Sequence, residues 1–261
     1  VSAYLHAAAM VKAGIYLIAR FGPGFATTPG WRGTLVVLGV ATMIVGGWRA
    51  LRQTDLKLLL AYGTVSQLGL LTLCFAFNTP AVALAGLAML VAHAAFKATL
   101  FLVVGIIDHD AGTRDIRELS GLGRTRRGLA AVAILAAASM AGLPPLLGFV
   151  AKEAVLTSLL EQTAHEQLWS WTALIGVAVG SVFTFAYSAR FVRGGFGTRP
   201  DAADTKTHVS PAVMLGAPAL LAGFGLVAGL VPGVLEPAFL PFANSFPGEV
   251  TEHLALWHGF V

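Results

Sequence analysis

Three lysines and a histidine lie in apolar stretches of this sequence, and their side chains could transfer protons. Lys12 follows HAAAMV, His93 and Lys97 lie in VAHAAFKATLF, and Lys152 follows a double proline. A charged side chain at the centre of a bilayer costs about 2.5–3.5 kcal/mol, so its retention indicates a function. Removal from water disfavours the charged form of an amine or imidazole, which allows proton exchange near neutral pH.

The spacing of His93 and Lys97 predicts a relay step. At i, i+4 spacing the two side chains are neighbours on one helical face. Two positive charges that close repel each other, so the pair should hold at most one proton at a time. Each residue also has a purely structural interpretation. His93 could be a hydrogen-bonded core histidine, and Lys12 could extend to the membrane surface, although it lies near the middle of its span.

The double proline, Pro144 and Pro145 in GLPPLLGF, predicts a broken helix. A break at membrane depth is tolerated where protein or a water-filled cavity satisfies the freed backbone groups, and ion-coupled transporters place binding sites at such breaks. Lys152 follows about two turns later. Its structural alternative is a simple proline kink that leaves Lys152 near a membrane surface. The neighbouring Glu153 is a possible further site residue.

The elements that must position these residues are membrane-spanning helices. Of the 261 residues, 56% are hydrophobic and 11% are charged, with a mean hydropathy of +0.77, whereas soluble domains carry about 25% charged residues. We therefore predict an all-α, polytopic transmembrane bundle. Seven segments fit a span of about 20 residues, and an eighth begins near residue 250. The seven are 3–20, 33–49, 57–77, 81–107, 128–160, 168–192 and 211–231.

The basic residues predict the orientation of the spans. Twelve of the 17 lysines and arginines fall in the connections 49–57 and 108–127 and in 193–210 with the adjacent Arg190, all on one side if the spans alternate. The opposite connections hold Arg20 and Arg32. By the positive-inside rule the basic side is cytoplasmic. The three basic residues that remain, each within a predicted span, are Lys12, Lys97 and Lys152.

Other polar residues have simpler roles. Ser66 and Gln67 lie in a span, where they could join helices by hydrogen bonds or hold water in a proton path. His6 lies on a different helical face from Lys12, so its relay role is an open alternative. Asp55 fits a helix cap, and residues 113–127 are predicted to form a short amphipathic cytoplasmic helix that ends at Gly121 or Gly123.

Several function classes find no support in the sequence. The single cysteine, Cys74, allows neither an internal disulfide nor a cysteine metal site. Nucleotide-binding, zinc-protease and serine-hydrolase motifs are missing from the sequence, so we predict no metal, no cofactor and no enzymatic activity. The net charge of +4 belongs to cytoplasmic loops and does not indicate nucleic-acid binding. The chain begins at Val1 and is turning apolar where it ends, in EHLALWHGFV, which suggests a piece of a longer polypeptide.

Four ordered stretches resemble one family. They are VSAYLHAAAMVKAGIYLIARFGP, TDLKLLLAYGTVSQLGLL, HAAFKATLFLVVGIIDHDAGTRDIRELSGL and AGLPPLLGFVAKEAVL. The sequence resembles the large A-type subunits of Mrp-type (also called Mnh-type) multisubunit Na+/H+ antiporters, which are related to the proton-pumping subunits of complex I. The resemblance implies two inverted five-helix repeats, each with a broken helix. Residues 1–192 would form the second half of this proton-conducting module, and residues 193–261 a cytoplasmic loop and the following helices.

The resemblance also implies roles for particular residues. His6 and Lys12 match the family's central helix, and His93 and Lys97 match its HAFFKALLF-type motif. Lys152 matches a lysine on the second broken helix, and Lys57 a lysine near the cytoplasmic edge. The complex I relatives carry a further histidine one turn before the position of His93, where this chain has Met89. The implied relay therefore has one titratable site fewer.

Three functions follow as hypotheses. The first is a subunit of a cation/proton antiporter in the cell membrane that works with other subunits and exchanges Na+ for H+. The second is a proton-pumping subunit of a redox complex, either complex I or a membrane-bound hydrogenase. The third is a scaffold in which the charged residues only hold helices together.

Overall fold

A computed structural model describes residues 3–25, 28–77, 79–164, 167–200, 203–206, 208, 210–248 and 253–256. These residues form α-helices joined by short connections. Ten α-helices are α1 (Ala13–Phe25), α2 (Trp31–Leu51), α3 (Leu56–Cys74), α4 (Pro80–Ala111), α5 (Leu122–Thr125), α6 (Arg127–Ala141), α7 (Leu147–Gln162), α8 (Gln167–Phe196), α9 (Val213–Leu230) and α10 (Glu236–Ala243).

The prediction of a polytopic helical bundle is confirmed. Five helices in the described part of the chain are long and apolar enough to cross a membrane, namely α2, α3, α4, α8 from Leu168, and α9. Helices α6 and α7 divide the predicted span 128–160 between them. Helix α10 lies in what the sequence suggested was a plain connection after residue 231, and it contacts α4. The predicted eighth span falls mainly on residues outside the described ranges.

The first predicted span is not one regular helix, and here the sequence prediction is wrong. A π-helical turn covers Tyr4–Ala8, a 3-10 turn covers Met10–Lys12, and α1 begins only at Ala13. Ala9 separates the two turns with a φ of −115° and a ψ of −73°. Single π-turns occur frequently at functional sites. The irregular segment ends at Lys12, so it sets the position of that side chain.

The predicted helix break at the double proline is confirmed, and it is shorter than the sequence suggested. Helix α6 ends at Ala141, and Gly142 adopts the left-handed conformation with a φ of 84°, as is common for a glycine after a helix end. The chain becomes helical again at Leu147. The Ser139 hydroxyl accepts a hydrogen bond from the Gly148 N–H at 3.2 Å and so joins the two sides of the break.

Helix α4 lies at the centre of the bundle. It begins with Pro80 in its first turn and ends before Gly112, which has a φ of 71°. It contacts the initial π-turn and helices α3, α6, α7, α9 and α10. Helices α2 and α3 approach closely through glycines, since a Cβ added to Gly69 would lie 2.5 Å from the carbonyl oxygen of Gly39. Small residues permit such contacts between membrane helices.

The three basic connections meet at one end of the bundle. The backbone of Leu56 donates to Arg114 O at 3.0 Å, and that of Gly121 donates to Gly197 O at 2.9 Å. These bonds place 49–57, 108–127 and 193–210 on one side, as the alternation of spans predicts. The predicted cap is also confirmed, because Asp55 accepts from the backbone of Lys57 and Leu58 at the start of α3.

The predicted amphipathic helix over 113–127 is wrong. Between residues 113 and 126 only the four residues of α5, Leu122–Thr125, are helical, and Gly121 precedes this helix with a φ of 73° instead of ending one. The backbone of Asp115 pairs with Asp55 in an antiparallel bridge. Hydrogen bonds to a neighbouring connection thus replace those that a local helix would have made.

Candidate functional site

Lys12 reaches from the irregular first segment to the central helix. Its side chain is 8% exposed, and its Nζ donates to the carbonyl oxygen of Leu90 on α4 at 3.2 Å. Leu90 lies one turn before His93. The burial of Lys12 favours the interpretation as an interior lysine over that of a lysine extending to the membrane surface.

His93 lies on α4 between Leu90, which Lys12 contacts, and Lys97. The ring is fully buried and contacts Phe96 edge-on, with ring centroids 5.5 Å apart. Neither ring nitrogen has a hydrogen-bond partner among the described residues, which argues against the alternative of a hydrogen-bonded core histidine. Leu90, which accepts the bond from Lys12, lies three residues before His93 on α4, and Lys97 lies four residues after it.

Lys97 is fully buried where α3, α4 and α8 meet. Its Nζ donates to the carbonyl oxygen of Leu60 on α3 at 3.0 Å. The same ammonium lies 5.7 Å from the ring centroid of Tyr187 on α8, within the range of a cation–π interaction. A Cβ added to Gly63 would lie 2.9 Å from Lys97 Nζ, so a side chain at position 63 would force the ammonium to move.

A polar network behind Tyr187 was not predicted from the sequence. Gln67 Nε2 donates to Thr184 Oγ1 at 3.1 Å and to the Tyr187 hydroxyl at 3.2 Å. The polar residues Thr184, Tyr187 and Ser188 recur at helical spacing within the span 168–192, and this recurrence could have indicated the network. Gln67 therefore connects α3 to α8 beside Lys97, and its Oε1 has no partner among the described residues.

Lys152 lies in α7 and points back to the helix break. It is 7% exposed, and its Nζ donates to the carbonyl oxygen of Ala141, the last residue of α6, at 3.0 Å. A cation there also interacts favourably with the negative end of the α6 dipole. This burial favours an interior lysine over one that extends to the membrane surface. Helix α7 contacts α4, and no direct bond between Lys152 and His93 or Lys97 is present among the described residues.

Glu153 makes a local contact within α7. Its side chain is half-buried, and its Oε1 accepts from Thr157 Oγ1 at 3.1 Å. Within the described ranges, no group of three or more histidine, cysteine or acidic side chains could hold a metal ion. The buried groups that face one another are mainly bases, which suits proton transfer better than metal binding.

Three further predicted residues occupy peripheral positions. The His6 ring stacks on Phe101 of α4 at 5.5 Å between centroids. Lys57 lines a cavity of about 450 Å³ at the basic end, together with Asp108 and Phe101. Phe101 thus lies between this cavity and His6. Ser66 is buried, donates to the carbonyl oxygen of Met43 at 2.8 Å and holds α3 against α2, which is the helix-joining role.

Ion pairs stabilise the basic connections at the end of the bundle. Arg114 bonds Asp55 and Asp108, each at 3.1 Å. Arg117 donates to Asp115 at 2.6 Å, and hydrogen bonds from Arg117 hold the pKa of the Asp115 carboxyl below its usual value. These contacts fix the ends of α3 and α4, the helices that hold the Lys97 site.

The family model described as "NADH:quinone oxidoreductase/Mrp antiporter, TM" matches residues 1–184. The chain belongs to this family. It is therefore a membrane protein chain, and its resemblance to antiporter-like subunits is confirmed.

Two curated relatives match nearly the whole chain. An Na+/H+ antiporter subunit of Bacillus subtilis is 38% identical over 286 residues, which cover 99% of this chain and 36% of the relative. A probable K+/H+ antiporter subunit of Rhizobium meliloti is 40% identical over 264 residues, which cover 100% of this chain and 26% of the relative. This chain thus spans about a third or less of the length of these relatives.

Solved structures support the same relationship. The Mrp complex from Dietzia sp. DQ12-45-1b contains a chain with a TM-score of 0.87 and 45% identity, and the match covers 99% of this chain and 28% of that one. Respiratory complex I from Thermus thermophilus contains a chain with a TM-score of 0.73 and 27% identity, with 91% and 50% covered. The predicted antiporter-like helical fold is confirmed by these matches.

Proposed function

We propose that the chain is part of a subunit of a multisubunit monovalent cation/proton antiporter, a secondary transporter that exchanges H+ for Na+. Residues 1–192 form the second half of its proton-conducting module, and 193–261 a cytoplasmic loop and the helices that follow. The observation that carries the proposal is the row of buried bases along α4. Lys12 contacts α4 one turn before His93, and Lys97 follows one turn after it.

The chemistry of this row suits stepwise proton transfer. The ammonium groups of Lys12, Lys97 and Lys152 each donate to a backbone carbonyl oxygen, which can hold either the protonated or the neutral amine. His93 lies between two of them with both ring nitrogens available to accept or donate. Repulsion between neighbouring cations would make protonation of one base release the proton of the next.

The cavity beside Lys57 is the proposed cytoplasmic access to this row. It lies at the basic end, which the positive-inside rule assigns to the cytoplasm. Its wall includes Phe101, on which His6 stacks, and Ala3 of the first segment. In this proposal a proton enters past Lys57 and His6, moves through Lys12, His93 and Lys97, and continues to Lys152.

The alternative is a proton-pumping subunit of a complex I-type oxidoreductase or a membrane-bound hydrogenase. The TM-score of 0.73 with a chain of complex I supports it. We favour the antiporter because the solved chain from an Mrp complex is more similar, with 45% against 27% identity. The two functions share the path of bases and differ in the partner subunits that drive transport.

One experiment separates these functions. The full-length protein is purified with its natural partners, and the same strain provides everted membrane vesicles in which Na+ and K+ are each tested for collapse of a proton gradient. The antiporter proposal predicts copurification of membrane subunits and a cation-dependent collapse. Copurification of flavin and iron–sulfur subunits, with no collapse by either cation, would overturn it.

A further inference from the structure

An apolar groove lies at membrane depth between α6 and α8. It encloses about 340 Å³ and is lined by alanines of α6 and by Phe185 and Ala189 of α8. Three large apolar side chains at its border are exposed by 42–55%, namely Ile134, Leu143 and Phe185. The groove is therefore a partly exposed apolar surface that the apolar part of another molecule could cover.

A basic pocket continues this groove at the cytoplasmic end. It encloses about 330 Å³ and is lined by Arg190, Arg193 and Arg199. No carboxylate is among the described residues that line it. Arg193 lines both the pocket and the groove, so the two form one continuous surface with an apolar part and a cationic part.

The three arginines differ in their freedom to bind a ligand. Arg190 donates to the carbonyl oxygen of Gln53 at 3.0 Å, and Arg199 donates to the carbonyl oxygen of Arg117. The exposed Arg193 guanidinium makes no hydrogen bond or ion pair to any part of the chain that the structure describes. It is thus the donor that an anion at the junction of pocket and groove would meet first.

We propose that this surface binds one anionic phospholipid of the cytoplasmic leaflet. Its phosphate lies in the arginine pocket, and one acyl chain lies in the groove between α6 and α8. Guanidinium groups bind phosphate through paired donors, and basic pockets between membrane helices on the cytoplasmic side suit acidic headgroups. A transmembrane helix of a partner subunit or of the rest of the full-length chain would also cover the groove, but it would have to supply an acidic residue to the arginine pocket, whereas the lipid supplies its own phosphate.

The bound lipid contacts the helix break. Ala141 lines the groove, and its carbonyl oxygen accepts the bond from Lys152. An acyl chain in the groove would shield this part of α6 from exchange with other lipids. Binding itself depends only on the groove and the arginines, so it stands independently of the proposed transport function.

The test uses the full-length protein in its natural complex, purified in a neutral detergent and titrated with dioleoyl phosphatidylglycerol or dioleoyl phosphatidylcholine. Native mass spectrometry counts the retained lipids. Two variants alter the surface, Arg193→Gln in the pocket and Ala189→Leu in the groove. Two matched controls lie elsewhere, the exposed Arg52→Gln at the same end and the exposed Ala131→Leu on α6.

The proposal predicts tight retention of one phosphatidylglycerol. Arg193→Gln should weaken it about fivefold, the effect expected for one arginine near an acidic headgroup. Ala189→Leu should also weaken it, and both controls should bind as the unaltered protein does. Equal affinity for phosphatidylcholine, or equal losses in Arg193→Gln and Arg52→Gln, would overturn the proposal. So would a photocrosslink from a photoreactive residue at position 189 to another subunit or to another helix of the full-length chain, since a helix would then occupy the groove.

Discussion

The Lys97 ammonium lies 5.7 Å from the ring centroid of Tyr187, and both side chains are fully buried. The contact joins the central helix α4 to α8, and Gln67 of α3 donates to the Tyr187 hydroxyl behind it. The ring face attracts the protonated lysine without holding a formal charge of its own. Lys97 therefore keeps a partner that favours the cation and still permits loss of the proton.

The first prediction concerns the space around this ammonium. Gly63→Ala would place a Cβ 2.9 Å from Lys97 Nζ and 3.1 Å from the Tyr187 ring, so the flexible lysine end must move. We expect transport to fall about tenfold, because a displacement of about 1 Å can cost a reacting group up to about a hundredfold. Proton flux in vesicles measures the effect. Gly223→Ala on α9 is the control, since nothing lies within 4 Å of its added Cβ. An equal loss of transport there would show that the effect does not come from the contact with Lys97.

The second prediction separates the ring of Tyr187 from its hydroxyl. Tyr187→Phe keeps the ring over Lys97 and loses the bond from Gln67, so it should lower the unfolding free energy by about 0.6 kcal/mol, the average for such bonds in a membrane bundle. Transport should persist. Tyr187→Leu removes the ring face and should reduce transport strongly. If Tyr187→Phe impaired transport as much as Tyr187→Leu, the hydroxyl and not the ring would be the functional group.

The third prediction tests whether Lys152 serves transport or only holds helices together. Burying a lysine costs about 2.5–3.5 kcal/mol, and a hydrogen bond to a charged group returns about 1.5–3 kcal/mol. Lys152→Met removes both effects, so stability should stay nearly unchanged or rise by up to about 2 kcal/mol while transport is lost. Thermal unfolding of the purified complex and proton flux in vesicles provide the two measurements. A large loss of stability with the remaining protein still active would instead support the scaffold.

The fourth prediction concerns the cytoplasmic connection that holds α3 and α4. Because Arg117 lowers the folded-state pKa of Asp115, their contact stabilises the connection fully above the unfolded value of about 3.9. That stabilisation is lost as the pH falls through the lower, folded pKa. A spin label at the exposed Glu118→Cys should therefore stay ordered from pH 7 to about pH 4 and become mobile only at more acidic pH.

The control for this acid transition is Asp115→Asn, which cannot titrate. The label at position 118 should then show no mobility step between neutral and acidic pH. A step of the same size in Asp115→Asn would assign the transition to a group other than Asp115.

Much of the fold follows from the sequence. The apolar segments predicted most of the spans, because a helix needs about 20 apolar residues to cross a membrane and satisfies its own backbone hydrogen bonds. Pro144 and Pro145 predicted the break, and Asp55 predicted the start of α3. These features depend on local chemistry, and the structure confirms them. The burial of Lys12, Lys97 and Lys152 also follows, since each lies far from a span end or beside the break.

Other features depend on contacts between segments distant in the sequence. HAAAMVKAG contains no proline, and its glycine follows Lys12, so the π-turn and 3-10 turn before Lys12 have no local signal. The loop near Asp115 avoids a helix because it bonds to Asp55, 60 positions earlier in the numbering. Tyr187 faces Lys97 only after α4 and α8 pack, and spacing within one helix does not predict a neighbour on another.

The central claim is that protons pass through Lys97, and one measurement tests it most directly. The complete complex is reconstituted in proteoliposomes, and cation-driven proton flux is compared for the unaltered protein, Lys97→Gln, and the exposed-lysine control Lys206→Gln. We predict that Lys97→Gln lowers the flux at least about tenfold with the complex fully assembled, because a buried relay residue has been lost, and that Lys206→Gln leaves it unchanged. Unaltered flux in a fully assembled Lys97→Gln complex would contradict the account.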